Sequence, residues 1–470
     1  MRNDLRLLTL ILPLALGACG GNDQPDSGYP PQGTYANLQI VNNSWDAPPI
    51  DVLLDGQPFV TQVDYGQGTG ELPITPGAHS LVVQIETPGA ATTIIGPTTL
   101  DASANMDYVV AVQGDVAQIT AVTLPHPLAV VPAQSVRIQV LNPLIDAPVQ
   151  VYLTAPGADL ASSTPLGTAP YEGSVGPTDV TAGEWEIRMT QSGGSLVYDS
   201  GTVTLQGGTD LVISLLANPM PVGCSTAPTN CPIRPPMVSA VDALGDVAWL
   251  PYGSPSAGGV VRVVHDSPDA PALGATLNGS LTAPLVTSLA YEGFTGYDAY
   301  LPSGVDALAL APADDLGDVL ASQDIEVGPN SAHTLYAIGP LAQLSAFVTH
   351  DNYRRYATQA RLRFIQGAPS VTSVDVYLTA SGTGIAAATP TYAAVPFAGD
   401  TRFVSYAQGV YELTITHAGS KTPILGPLAT GLADGEISTL VLRDAPGGGP
   451  PYGLIALDDG LLPTSAGALK

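Results

Sequence analysis

Gly409-Val410-Tyr411-Glu412-Leu413-Thr414-Ile415 is a turn glycine followed by residues that alternate in character at period two. That period marks a strand with one face buried and the other wet. Gly183-Glu184-Trp185-Glu186-Ile187-Arg188-Met189 repeats the pattern, and Gly77 and Gly304 open equivalent stretches. Upstream of Gly409 lies an aromatic-glycine loop, Phe397-Ala398-Gly399. Before it come a strand, Val374-Asp375-Val376-Tyr377-Leu378, and an opening strand, Leu362-Arg363-Phe364-Ile365.

This succession occurs four times. The other opening strands are Leu38-Gln39-Ile40-Val41, Val136-Arg137-Ile138-Gln139-Val140 and Val261-Arg262-Val263-Val264. Each of these three is followed by a loop: Asp46-Ala47-Pro48, Asp146-Ala147-Pro148 and Asp269-Ala270-Pro271; the fourth has Thr372-Ser373. Second strands begin at Ile50, Val149 and Leu273, and Asp55-Gly56 and Asn278-Gly279 are strong hairpin signals. The remaining aromatic loops are Tyr65-Gly66, Tyr171-Glu172-Gly173 and Tyr291-Glu292-Gly293. Each unit closes with two more strands, as in Tyr108 to Val112 and Gln118 to Leu124. Seven or eight strands in about 100 residues predict four tandem immunoglobulin-like antiparallel β-sandwiches, an all-β fold strung like beads.

The expected boundaries are a leader at 1–18, a lipidated cysteine and tether at 19–35, and sandwiches at 36–134 and 135–245. A linker at 246–258, sandwiches at 259–358 and 359–460, and a tail at 461–470 complete the chain. Pro-containing residues near Pro125–Pro132 and the polar stretch near His350–Thr358 read as connectors.

Composition agrees. Among 470 residues there are 51 glycines and 44 prolines, about a fifth of the chain, which suits turns and opposes long helices. Fourteen basic against 41 acidic residues give −27, which excludes a nucleic-acid binder working by phosphate neutralisation. Arg2 and Arg6, an apolar run from Leu7 to Leu16, and small residues before Cys19 form a secretory leader too short to span a bilayer. Leu16-Gly17-Ala18-Cys19 resembles a bacterial lipobox, which implies diacylglycerol on Cys19 and cleavage before it. Gly20 rather than Asp after the cysteine points to the outer membrane, on its periplasmic or outer face. No other apolar run reaches about 18 residues, so the lipid is the only expected membrane contact.

The order of features, with His265-Asp266-Ser267-Pro268-Asp269-Ala270-Pro271 after its opening strand, resembles the bacterial domain of unknown function 4397. That family occurs in tandem in exported lipoproteins. The resemblance implies the sandwich and the exported setting and carries no activity. Where the third unit has His265, the others have Asn42, Asn142 and Gln366, so no shared histidine chemistry follows.

Cys224 and Cys231 form the one even pair once Cys19 is lipidated, and an oxidising compartment predicts a local disulfide. Nucleophile-elbow, zincin, P-loop and EF-hand patterns are absent from the sequence. Trp45 and Trp249 read as loop residues able to stack on sugars, and Trp185 as core. The expectation is a non-catalytic, lipid-anchored envelope protein without cofactor, its repeats acting as spacers and binding modules for an unidentified ligand. The alternative is a carbohydrate-active or other hydrolase with paired carboxylates in one unit. If the units bind anything, strand counting puts the first and third loops at one pole. That pole would group Asp46 with Asp64 and Tyr65, Asp146 with Tyr171 and Glu172, and Asp269 with Tyr291 and Glu292. Calcium is the candidate ligand for these oxygens.

Overall fold

The computed structural model describes residues 34–191, 194–218, 236–250, 258–297, 299–328 and 331–460. Among them the only helical pieces are three single turns of 3-10 helix. None is long and apolar enough to cross a membrane.

Unit 1 runs through β1 (Ala36–Asn43), β2 (Ile50–Leu54), β3 (Gln57–Val63), β4 (Leu72–Ile74), β5 (Gly77–Thr87), β6 (Ala90–Ala102), β7 (Met106–Gln113) and β8 (Thr120–Pro127). Unit 2 runs through β9 (Ser135–Asn142), β10 (Val149–Thr154), β11 (Gly167–Ala169), β12 (Gly173–Thr181), β13 (Gly183–Gln191), β14 (Leu196–Leu205), β15 (Asp210–Leu216), β16 (Met237–Asp242) and β17 (Val247–Leu250). Unit 3 has β18 (Gly259–Asp266), β19 (Leu273–Leu277), β20 (Val286–Leu289), β21 (Ala299–Leu301), β22 (Gly304–Pro312), β23 (Ala321–Val327), β24 (Ala332–Ile338) and β25 (Ser345–His350). Unit 4 has β26 (Ala360–Gln366), β27 (Ser373–Ala380), β28 (Tyr392–Pro396), β29 (Val404–Tyr406), β30 (Gly409–His417), β31 (Pro423–Leu432), β32 (Ile437–Arg443) and β33 (Gly453–Asp458).

Each unit is a sandwich of two sheets, ordered β4-β1-β7-β8 and β3-β2-β5-β6 in unit 1 and equivalently in the others. A core such as Leu38, Ile40, Val52, Val83, Ile85 and Val110 fills the space between them. The all-β sandwich is as the alternation predicts, with one departure from a purely antiparallel fold. The opening strand lies parallel to the seventh in every unit: β1 on β7, β9 on β15, β18 on β24 and β26 on β32.

Other departures have local causes. Asp55-Gly56 makes the tight hairpin, both residues at positive φ, and β3 follows at Gln57. Asn278-Gly279 makes the same turn, but pairing resumes only at Val286. Within the expected 246–258 linker, β17 extends the second unit's sheet to Leu250. Asp242 turns the chain by accepting from the Leu244 and Asp246 N–H groups, at 2.9 Å each.

The units are not beads on a string. Opening-strand sheets pack face to face in pairs, which explains why β1, β18 and β26 are buried on both faces. Val41, Val109, Ala111, Leu141, Val212 and Val241 form a second core between units 1 and 2. Val264, Tyr336, Ile338, Ile365, Val441, Ile455 and Leu457 do the same between units 3 and 4.

Candidate functional site

At one pole of each unit, the loops after the first and third strands meet. In every unit the residue after the loop aromatic donates its N–H to the end of the opening strand. The bonds are Gly66 to Asn42 O (2.7 Å), Glu172 to Asn142 O (3.0 Å), Glu292 to His265 O and Ala398 to Gln366 O (both 2.9 Å). All four donors are left-handed, with φ of 72°, 55°, 68° and 57°. The strand-end side chain then staples its own loop. Asn142 Nδ2 donates to Ile145 O and Ala147 O, and Gln366 Nε2 to Ala368 O and Val371 O. His265 has the same task, with Nε2 on Pro271 O and Nδ1 accepting from Ser267 N; burial pushes its pKa down, which suits a neutral ring.

The pole residues are largely occupied by the fold. Asp46 Oδ1 accepts from Val116 N (2.9 Å) and Asp269 Oδ1 from Leu341 N (2.7 Å), each tying the first loop to the turn after the seventh strand. Burial pushes the Asp46 carboxyl up, against the help of the Val116 N–H. Tyr65 OH donates to Ala217 O and Tyr291 OH to Asp444 O, both 2.7 Å and both reaching into the paired unit. Asp64 pairs with Arg354, and Glu292 with Arg443 at 3.2 Å. Asp146 and Glu172 flank Tyr171, which burial raises and whose side chain is 41% exposed. Among the described residues no three or more His, Cys, Asp or Glu side chains gather as a metal site. Cys19, Cys224 and Cys231 lie outside the described residues. Trp249 is on β17 rather than in a loop, close against Gly66. Trp45 sits half-buried in the first pole loop, and Trp185 Nε1 donates to Thr181 O at the margin of the second core.

Sequence reasoning missed the polar groups in the seams. Between units 3 and 4, Arg262 Nη2 donates to Asp459 Oδ1 (2.6 Å) and its Nε to Thr334 Oγ1 (3.2 Å). Arg363 mirrors it, with Nη2 on Asp351 Oδ1 (2.7 Å) and Nε on Thr439 Oγ1 (2.9 Å). Thr334 donates to Asp351, and Thr439 to Asp459. Two arginines, two threonines and two aspartates thus close a buried ring across a local two-fold. Burial alone would raise Asp351, but Arg363 and Arg262 hold it below the usual carboxylate range.

The seam between units 1 and 2 is unbalanced. Asn37 Nδ2 donates to Asp107 (2.9 Å), Arg137 pairs with Asp179 (2.9 Å) and Asp210 (3.4 Å), and His126 approaches Asp107 at 3.8 Å. Burial and the neighbouring Asp107 and Asp210 push Glu71 up to about 8, and burial pushes Asp210 up to about 6.

A ladder of guanidiniums and rings joins the two pairs. Arg354 lies over Tyr65 (5.5 Å) and Tyr356 (4.8 Å), Arg361 over Tyr356 (4.3 Å) and Phe403 (4.8 Å), and Arg363 over Phe403 (5.0 Å). Arg354 and Tyr356 belong to the polar connector expected near His350–Thr358. Beside the ladder, unit 1, the connector and unit 4 line an open cleft of about 330 Å³. No sequence signal pointed there, because its walls come from opposite ends of the chain.

No curated protein matches the chain. Among solved structures, a Bacillus anthracis TIE protein aligns at 12% identity over 87% of this chain and 68% of that one. Its TM-score of 0.15 is too low to carry any argument. The family model of DUF4397, a domain of unknown function, matches residues 36–152 and 259–377, each match spanning one sandwich and running into the second strand of the next. With half its length matched in two tandem copies, the chain belongs to the DUF4397 family.

Proposed function

We propose that this is a non-catalytic envelope lipoprotein, held to the outer membrane through Cys19, whose paired sandwiches act as a stiff spacer and binding module. The supporting observation is that pole residues are spent holding units together: Asp46 and Asp269 on backbone N–H groups, Tyr65 and Tyr291 on the paired unit. Residues committed to fixed backbone contacts make good braces and poor catalysts. In this setting Cys224 and Cys231 form a disulfide, so the intact mature chain has no thiol that titrates under denaturation and two after reduction.

The test is fatty-acid labelling and membrane fractionation of cells expressing the full chain. Wild type should carry label and sediment with the outer membrane; Cys19→Ala should lose both. Label persisting on Cys19→Ala, or wild type in the soluble fraction, sinks the reading. A hydrolytic reading draws on one observation, the carboxylates Glu71 and Asp210 with pKa values raised to different degrees. It requires that Glu71→Gln abolish a hydrolysis that wild type performs on polysaccharide substrates.

A further inference from the structure

Three arginines stand on the ladder, and two have carboxylate partners: Arg354 has Asp64, and Arg363 has Asp351. Arg361, between them, has none among the described residues, although its side chain is 7% exposed. A guanidinium so deeply placed without an anion is costly unless something else compensates it. Burial lowers its pKa, and the like charge of Arg354 adds to the effect. The faces of Tyr356 and Phe403 supply part of the compensation. Its Nη1 is held by Asn352 Oδ1 (3.3 Å) and Arg354 O (2.7 Å). The Nε and Nη2 edge makes no hydrogen bond among the described residues, and that edge presents two parallel donors to a carboxylate.

Arg361 lines the cleft between units 1 and 4. Ser405 Oγ accepts from Gln359 Nε2 (3.0 Å), and its own proton has no acceptor among the described residues. Pro48, Pro49 and Pro88 on the unit 1 side give an apolar wall facing these polar groups. We propose that this cleft binds a sugar acid, with its carboxylate on the Nε/Nη2 edge of Arg361, a ring oxygen on Ser405 and its apolar ring face on the prolines. At about 330 Å³ the space lies within the range of small-molecule sites. Exposed Glu86 at the rim sets the one opposing charge. The assignment rests on the binding-module reading and gives that module a ligand class.

Calorimetric titration of the full-length chain with galacturonate tests it, with galactose and benzoate as controls. Galacturonate should bind saturably, galactose at least tenfold more weakly and benzoate more weakly than galacturonate. Arg361→Gln should lose about tenfold or more, the worth of a charged hydrogen-bonded pair. Glu86→Gln, on an exposed hairpin where folding is not at risk, should tighten galacturonate binding a few-fold. No saturable galacturonate binding, equal binding of galactose or benzoate, or insensitivity to both substitutions overturns the proposal. Membrane attachment through Cys19 is read out separately, so failure here leaves that reading standing.

Discussion

The residue after each loop aromatic sits in the left-handed region, yet only unit 1 places glycine there. A residue with a Cβ pays about 1 kcal/mol for that conformation. The side-chain bond between Glu172 and its exposed neighbour Tyr171 offsets little of that cost, so Glu172→Gly should stabilise unit 2 by up to about 0.5–1 kcal/mol in urea unfolding, less what glycine gains when unfolded. Gly66→Ala should do the reverse, and more strongly. Gly66 has φ +72°, and a Cβ there would run into Trp249 Cη2. The expected loss is about 1–3 kcal/mol, seen as a lower Tm. An unchanged Tm would mean that the Trp249 ring moves aside without cost. The loops themselves were legible, since Asp-Ala-Pro and aromatic-glycine patterns recur in plain view. Their partners were not: Asp46 bonds 70 residues ahead and Asp269 bonds 72 ahead, and no local pattern encodes such contacts.

Opening strands hid the pairing of units for a related reason. Gln39, Gln139, Arg262 and Arg363 fall at polar positions of alternating strands, where a solvated face is the natural reading, yet all four are buried. The two seams then differ by charge balance. Between units 3 and 4, two guanidiniums meet two carboxylates, and removing one member leaves the other buried and unpaired. Asp459→Ala should cost about 3–5 kcal/mol, and the double substitution with Arg262→Ala clearly less than the sum of the two singles. Strict additivity would contradict the ring. Between units 1 and 2, Glu71, Asp107 and Asp210 outnumber their cations, and burial raises all three. Carboxyls raised in the folded state keep protons that the unfolded chain has already released. Their stabilisation is therefore present at acid pH and is lost as pH climbs from the ordinary carboxylate range through about 6 for Asp210 and about 8 for Glu71. Glu71→Gln should flatten the upper part of that decline and melt above wild type at pH 8.5. A melting profile with the wild-type slope would show that Glu71 ionises without penalty.

At the scale of the whole molecule, the repeats pair, and among the described residues few polar contacts join one pair to the other. Besides the ladder, unit 1 reaches the connector through the Ala357 N–H to Asp46 O bond at 2.8 Å. One such bond contributes about 0.5–1.5 kcal/mol net, too little to hold two bodies of this size in register. The stacked guanidiniums and rings, with Asp64 on Arg354, must supply the rest. Arg354 is the rung shared by both bodies, since it touches Tyr65 of unit 1 and Tyr356 of the connector. Replacing it disturbs neither seam core, because the clusters at Val41 and at Val264 contain no ladder residue. Arg354→Ala should therefore let the pairs separate while each still melts as before. Small-angle scattering should report a larger radius of gyration and a longer maximum dimension, with calorimetric transitions unmoved. A more compact particle, or an unchanged one, would show that the ladder is not what docks unit 1 on unit 4. Because the cleft exists only while those units touch, the same substitution should also abolish any sugar-acid binding, even though Arg361 itself is intact.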